Sequence, residues 1–506
     1  MDSSSLLRQL LTAGCLLAFA TPVIAQSGEQ ADMVQVPREQ LNEIQAELKY
    51  LRARDEQREA AQEAIVQKIS TGGTWIANEC SWGENVDCGS IGCGSMCGGS
   101  GCCGNCGNGG CGCGGLFDCY SCCCPTPEAP CVECPRVSTL NPYFNVSVFG
   151  TLTADMVFNG RRPVAPGTPY FLAPGPVLGR DQSTFDLHAR QSSLGAAFVG
   201  PQWNGWQTGG QVLGVFYNSN VLADQYGFLP MLAFGEMKND RWRFAAGLQF
   251  DVFNPGAPTV LPFSALCASG NSGNAFRGQL RAERYFNPSS DVQWTLQTAL
   301  SNPVPTTIDP TFGISEDNGW PNVEGRIALA LGTPGATAVR PFEVGFSGVV
   351  GQLRTTPITA DPQVVSDVWG VGTDIRWRVN DTFGFVGEFY SGQGLGTYNG
   401  AILQTVNRET FESIRSTGGF LEGYVYLTPC VHSHMGYGID DPRNNDVSLD
   451  PANLARVRNE TYYANLLWDV NKTLRLGFEL TYRETEYAAL PGNQGTGYHG
   501  QFRWSF

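Results

Sequence analysis

From Tyr143 to the C-terminus, apolar and polar residues alternate with a period of two. Between Phe144 and Met156 the even positions are apolar or glycine and the odd ones mostly polar, the pattern of a strand with one apolar and one polar face. Comparable stretches recur at about 183–199, 206–217, 229–238, 241–252, 275–286, 290–300, 319–332, 339–353, 366–379, 382–391, 415–427, 429–438, 458–470, 473–486 and 496–506. They predict sixteen strands, longer than the roughly five or six residues usual in globular sheets and suited to tilted membrane strands.

The connections alternate in length. Long ones include 157–182, 253–274, 301–318, 392–414 and 439–457; short ones are turns such as Lys238-Asn239-Asp240, Asn287-Pro288-Ser289-Ser290, Asn380-Asp381 and Asn471-Lys472. A soluble sandwich has no reason to sort its loops this way, whereas an outer-membrane barrel has short periplasmic turns on one rim and long loops on the other. The chain ends Gln501-Phe502-Arg503-Trp504-Ser505-Phe506, an alternating strand with a terminal aromatic, similar to the C-terminal signal of bacterial outer-membrane proteins. The expected fold class is an all-β transmembrane β-barrel of about 16 antiparallel strands over 140–506, preceded by an N-terminal α-helical coiled coil and a Cys/Gly-rich tract.

Upstream the period changes. Leu41, Ile44, Leu48 and Leu51 fall at alternating spacings of three and four, and the same register returns at Ile65 and Ile69, a heptad seam with a polar middle. Pro37 suits the helix start and Gly72-Gly73 its stop, placing a helix over 34–70. The seam serves either parallel self-association, most simply as a trimer, or docking of a lone amphipathic helix. Residues 1–25, with Arg8, the apolar stretch Leu10 to Ala20 and the ending Val23-Ile24-Ala25, read as a secretory signal peptide.

Residues 79–135 are dominated by glycine and cysteine, a composition that builds no packed core. The tract holds Cys80, Cys88, Cys93, Cys97, Cys102, Cys103, Cys106, Cys111, Cys113, Cys119, Cys122, Cys123, Cys124, Cys131 and Cys134 out of 18 cysteines in the chain. In an exported protein these are disulfide candidates. Pairs such as Cys103/Cys106 and Cys131/Cys134 also have zinc-site spacing, and a reduced tether is the third alternative. Vicinal cysteines cannot easily pair with each other, so partners lie farther along the chain or on other chains.

Composition narrows the function. Charged residues make up 16%, the net charge is −15 and the sequence pI about 4.8, so there is no basic footprint for nucleic acid. Beyond the first thirty residues no apolar run is long enough for a membrane helix. Strand parity separates a lipid face from a lumen face, because the hydrocarbon face tolerates almost no charge. Parity turns Arg243, Asp251, Arg277, Arg281, Glu283, Glu324, Arg326, Asp374, Arg376, Arg378, Glu388, Glu422, Arg475, Glu479 and Arg483 inward, as candidate pore-lining residues. A water-filled lumen accommodates such charges without pairing each one. No catalytic constellation emerges; His432 and His434 share a face but lack a third ligand in view, and His188 and His499 stand apart. Neither enzyme activity, cofactor nor metal is expected.

Phe389-Tyr390-Ser391-Gly392-Gln393-Gly394-Leu395-Gly396-Thr397-Tyr398-Asn399-Gly400, Ser416-Thr417-Gly418-Gly419-Phe420 and Gly436-Tyr437-Gly438-Ile439-Asp440-Asp441-Pro442 resemble matching strands of DcaP-like trimeric outer-membrane porins. Ala189-Arg190-Gln191-Ser192-Ser193 and the stretch Trp242 to Pro255 are similar too, so the resemblance covers roughly 140–506. It implies a homotrimer, a coiled-coil extension before the barrel and a loop folded into the pore, for which 253–274 is the candidate. The cysteine tract departs from that pattern and resembles cysteine-rich envelope proteins of planctomycete-type bacteria. The expected function is passive diffusion of small hydrophilic solutes across an outer membrane, with the N-terminal segment in the periplasm. A mild anion preference follows if Arg277, Arg281, Arg376 and Arg378 act beside a loop whose only charge is Asp251 at its base. The alternative is a structural envelope protein that anchors the outer membrane to a disulfide-cross-linked periplasmic or wall layer, with other cysteine-rich proteins as partners. Cys267 and Cys430 fall on opposite rims, separated by a bilayer core of ~30 Å, and cannot bridge.

Overall fold

Adjacent strands pair in sequence order until the last meets the first, so the sheet has no free edge around its circumference. The structure, a computed structural model, describes residues 136–138, 145–175, 182–218, 221–303, 315–316, 319–334, 339–355 and 364–506. The signal peptide (1–25), the heptad helix (34–70, with Leu41, Ile44, Leu48, Leu51, Ile65 and Ile69) and the cysteine tract (79–135) lie outside the described residues.

The sixteen barrel strands are β1 (Asn145–Asn159), β2 (Thr184–His188 continued by Ser193–Trp203), β3 (Trp206–Tyr217), β4 (Tyr226–Lys238), β5 (Trp242–Phe250), β6 (Phe276–Ser289), β7 (Val292–Ser301), β8 (Asn322–Leu331), β9 (Phe342–Thr355), β10 (Val364–Arg378), β11 (Phe383–Gln393), β12 (Arg415–Thr428), β13 (Val431–Pro442), β14 (Arg456–Asp469), β15 (Leu474–Tyr487) and β16 (Asn493–Ser505). Two short strands, Arg136–Ser138 and Ser315–Glu316, add to β1 and β9. Closure runs from Gly497 opposite Asn159 to Ser505 opposite Thr151. The terminal Phe506 extends it, its N–H donating to the Gly150 carbonyl (3.1 Å) and its carbonyl accepting from Gly150 N–H (3.0 Å).

The period-two pattern decides which way each strand faces. In β1, Leu152, Met156 and Phe158 are exposed on the outer surface, while Thr153, Asp155, Val157 and Asn159 are buried within. Leu194, Leu280, Leu300, Phe346, Phe389, Leu421, Met435, Phe478 and Phe502 continue an exposed apolar surface from strand to strand. In water such a surface would carry a large hydrophobic penalty; against lipid it is what holds a barrel in an outer membrane.

The short-turn rim is built by one repeated device. Asn239 Oδ1 accepts the N–H groups of Arg241 (2.8 Å) and Trp242 (2.9 Å). Asn380 does the same for Thr382 and Phe383, and Asn471 for Thr473 and Leu474, at 2.8 and 2.9 Å in both cases. An asparagine side chain mimics a backbone turn in this way, which is why these positions ended strands in the sequence pattern. The predicted turn at Asn287 to Ser290 is shifted: β6 runs on to Ser289, with an irregularity between Phe286 and Ser289. The expected strand 183–199 is also interrupted. At residues 189–192 the chain bends inward, Ser192 N–H donates to Ala189 carbonyl (3.0 Å), and Ser192 Oγ accepts the Thr153 N–H (2.9 Å) that a regular ladder would have taken.

Candidate functional site

Three long loops occupy the barrel interior: L1 (described over 160–175), L3 (251–275) and L6 (394–414). L3 follows β5 and crosses to the far wall. Its anchors are wall carboxylates that accept its backbone N–H groups. Glu324 on β8 accepts from Val252 (2.7 Å) and Phe253 (3.2 Å), and Glu388 on β11 from Ser272 (2.8 Å). Glu422 on β12 accepts from Thr259 (2.6 Å), and Glu479 on β15 from Leu261 (2.9 Å). A charged acceptor makes such bonds stronger than neutral ones, and a loop dense in Pro, Gly and small residues has otherwise unpaired amides to satisfy.

The glycine-rich motifs make room for this path. Gly438 on β13 lies against the Ser269 carbonyl of L3, and Gly270, at φ +102°, packs onto the Gly419 carbonyl of β12; a Cβ at either position would collide with backbone. L3 and L6 then lock together: Ala268 N–H donates to Asn399 carbonyl (3.0 Å) and Gly273 N–H to Tyr398 carbonyl (2.6 Å). Around this contact Ala265, Leu266, Ala268, Ala401, Ile402 and Leu403 all adopt positive φ, a conformation L-residues keep only where their surroundings impose it. Tyr390 and Asp440 from the wall supply part of that imposition. Ala401 N–H donates to Tyr390 Oη (3.0 Å), Ile402 N–H to Asp440 Oδ2 (2.9 Å), and Tyr390 donates to Asp440. L1 joins through Tyr170 and Phe171, which pack with Tyr217, Leu229, Ala268 and Ile402.

This filling changes the environment of the inward charges. Arg277 and Asp251 are fully buried and paired (Nε–Oδ1 2.5 Å). Arg243 pairs with Glu236 (2.6 Å) and Glu283 (2.9 Å), and Arg281 with Glu283 (2.6 Å). Arg326 makes a bidentate pair with Asp374 (2.9 and 2.5 Å) and a further bond to Glu343 (2.8 Å), which Arg376 also approaches (3.3 Å). Arg475 holds Asp469 (2.6 Å), and Arg483 donates to Thr461 (3.1 Å). Most of these side chains are therefore paired, and Asp251, Arg277, Glu283, Arg326 and Asp374 are buried as well. The reason is that burial leaves charges no solvent and pairing becomes compulsory. Among the inward arginines, Arg378, Arg483 and Arg503 have no ion-pair partner among the described residues, and Arg483 bonds only the Thr461 hydroxyl.

Sequence reasoning missed Asp155, Glu236, Glu343, Asp440 and Arg503 as interior residues. Parity held the signal for the first and last: Asp155 lies between Ala154 and Met156, Arg503 between Phe502 and Trp504. Asp155 gathers His499 Nε2 (2.9 Å), Gln501 Nε2 (2.7 Å) and Gln191 Nε2 (3.1 Å). His432 and His434 are hydrogen-bonded to each other (2.8 Å), and His434 Nδ1 to Glu422 Oε1 (2.7 Å). Among the described residues no three His, Cys, Asp or Glu side chains are arranged to hold a metal ion. On the long-loop rim, the Arg415 guanidinium, bidentate at 2.6 and 2.7 Å, holds the Asp446 carboxyl below the usual carboxylate range.

Cys267 lies in L3 and Cys430 in the turn between β12 and β13; they are not joined. Burial pushes the Cys267 thiol up to about 12. The thiolate fraction near neutral pH then falls roughly a thousandfold below that of an ordinary cysteine. Iodoacetamide at pH 8 is expected to alkylate Cys267 at least about a hundredfold more slowly in the folded protein than after denaturation. Equal rates, measured by peptide mass spectrometry, would show that L3 does not shield it.

No family model matches the chain, and no curated protein sequence matches it. Among solved structures, the outer membrane channel DcaP of Acinetobacter baumannii aligns over 73% of this chain and 99% of its own, at 15% identity and a TM-score of 0.55. A loop L8 deletion mutant of OmpT, an outer membrane protein of Vibrio cholerae, aligns over 72% and 100% at 11% identity and a TM-score of 0.46. Salmonella typhi OmpF in complex with daunomycin aligns over 73% and 100% at 10% identity, again at 0.46. The likeness to DcaP is one of fold: the chain has a porin-like barrel.

Proposed function

We propose that this chain is an outer-membrane porin that lets small hydrophilic solutes diffuse passively, with its short-turn rim and N-terminal segment in the periplasm. The observation that carries this reading is L3: a loop led from one wall to the other and fixed there by Glu324, Glu388, Glu422 and Glu479 sets a cross-section, as a constriction must. A barrel serving only as an anchor has no use for it. The chain assembles as a homotrimer, supported by the Leu41 to Ile69 seam and the resemblance of the strand motifs; light scattering of detergent-purified protein reads three chains or overturns this.

A mild anion preference belongs to the same proposal, on altered grounds. Arg277 and Arg281 are neutralised by Asp251 and Glu283, so the preference rests on Arg378, Arg483 and Arg503 outweighing Glu324, Glu388 and Glu479, whose L3 partners are neutral amides. In planar bilayers the purified protein is expected to give stepped conductance and a reversal potential favouring chloride in a KCl gradient. The preference should fade toward 1 M salt, where screening reaches ~3 Å. Cation selectivity at low salt would refute the preference. Folded protein without conductance would leave the structural envelope reading, which the cysteine tract favours.

A further inference from the structure

L3 is drawn toward the β8–β15 wall by its anchors, and a cavity of about 530 Å³ remains between it and the wall formed by β1–β4 and β16. That volume falls within the range of small-ligand sites. One side is apolar: Leu213, Val215 and Met231 from the wall face Val260, Pro262 and Phe263 of L3. A lumen serving only water and hydrophilic solutes has no use for so much apolar surface on both of its faces.

The other side is polar and centred on Arg503. Arg503 stands directly opposite Arg475 in the β15–β16 register, and like charges across a strand pair repel. Asp469 neutralises Arg475 with bonds of 2.6 and 3.1 Å. Arg503 is exposed in the lumen with no hydrogen bond or ion pair among the described residues. Its register partner on β1 is Thr153, 94% buried, since its exposure is 6%. Thr153 also lines the cavity, and its Oγ1 has no partner. Asp155, two residues along β1 on the same face, accepts from His499, Gln501 and Gln191 at Oδ1, while its Oδ2 takes no hydrogen bond.

We propose that this cavity is a binding subsite for an amphipathic monoanion, its acidic head on Arg503 and Thr153 and its apolar ring or chain between Phe263 of L3 and Leu213 of the wall. The proposal rests on the channel reading and adds a solute class to it. A solute with a second carboxylate at its far end is disfavoured, because that charge would be desolvated where the lining amides of Asn271, Asn274 and Asn399 already donate within the loops. The head supplies an acceptor to a guanidinium and a hydroxyl that otherwise have none, and it separates the Arg503 charge from that of Arg475.

The test uses a matched pair, 4-methylbenzoate and terephthalate, as blockers of KCl current through the full-length protein in planar bilayers, with acetate as the headgroup alone. The expected result is half-block by 4-methylbenzoate at a concentration at least roughly tenfold below that of terephthalate or acetate. Arg503→Gln and, independently, Met231→Trp should each raise that concentration by a similar factor, with heat-modifiable gel mobility confirming a folded barrel. Equal block by the two aromatic acids, or block unchanged in both variants, overturns the subsite. If folded protein gives no conductance, the channel reading fails, and equilibrium dialysis of labelled 4-methylbenzoate against detergent-solubilised protein decides the subsite separately. Saturable binding lost in Arg503→Gln sustains it, and no saturable binding overturns it.

Discussion

Arg277→Ala is expected to loosen the barrel interior while leaving the wall intact. The guanidinium is fully buried and is shared by three loop bases. It holds Asp251 at the start of L3, donates to the carbonyls of Asn302 (2.9 Å) and Pro303 (3.1 Å), and donates to Thr397 carbonyl of L6 (2.5 Å). It also lies 3.8 Å from the centroid of the Tyr398 ring. Alanine removes these bonds and strands Asp251 as an unpaired buried carboxylate, a loss of about 3–5 kcal/mol. The wall is held by ladder bonds that Arg277 does not make, so the cost falls on the loops. Single-channel conductance should rise and become noisy, L3 should become cleavable by added protease, and the barrel should keep its folded gel mobility. Adding Asp251→Asn should recover part of the loss by removing the stranded charge, and the non-additivity measures the coupling. Unchanged conductance together with unchanged protease resistance would show that Arg277 does not hold the loops.

The contrast between wall and loops explains what was legible in the sequence. Strand faces follow from a local rule, since neighbouring residues point to opposite sides. Thus Trp369, Val371 and Trp377 declare the lipid face, and Asp374 and Arg376 the interior, without knowledge of any partner. The turns were legible for the same reason: Asn239, Asn380 and Asn471 bond to residues two and three positions ahead. The route of L3 obeys no local rule. Thr259 meets Glu422 across 163 residues and Leu261 meets Glu479 across 218, and the L3 groups involved are backbone amides, which every sequence contains. Composition marked 253–274 as an irregular loop and the resemblance suggested that it turns inward, but neither could say that the wall carboxylates exist to receive it. Parity turned the charges inward but did not name their partners. Once the loops are inside, Glu283, Glu324 and Asp374 are structural partners before they can be features of a field.

Leu421→Arg is expected to destabilise the folded barrel in a bilayer by about 2–4 kcal/mol. Leu421 is mid-strand in β12, 58% exposed, opposite Gly387 on β11 and Tyr437 on β13, with the exposed Phe389 and Met435 on either side of the same outward surface. Its neighbour Glu422 points the other way, fully buried and bonded to L3, His434 and Tyr463. If the outward surface lies in hydrocarbon, an arginine near the midplane costs about 2–4 kcal/mol, whereas near a rim the cost falls to about 0–1. Denaturant titration of refolding into liposomes, read by heat-modifiable mobility, should therefore give a folding equilibrium constant lowered at least roughly tenfold for Leu421→Arg. Leu421→Phe should refold normally, because it keeps the apolar contact with lipid. Normal refolding of the arginine variant would mean that this face of β12 meets water, and the membrane assignment of the barrel would fall with it.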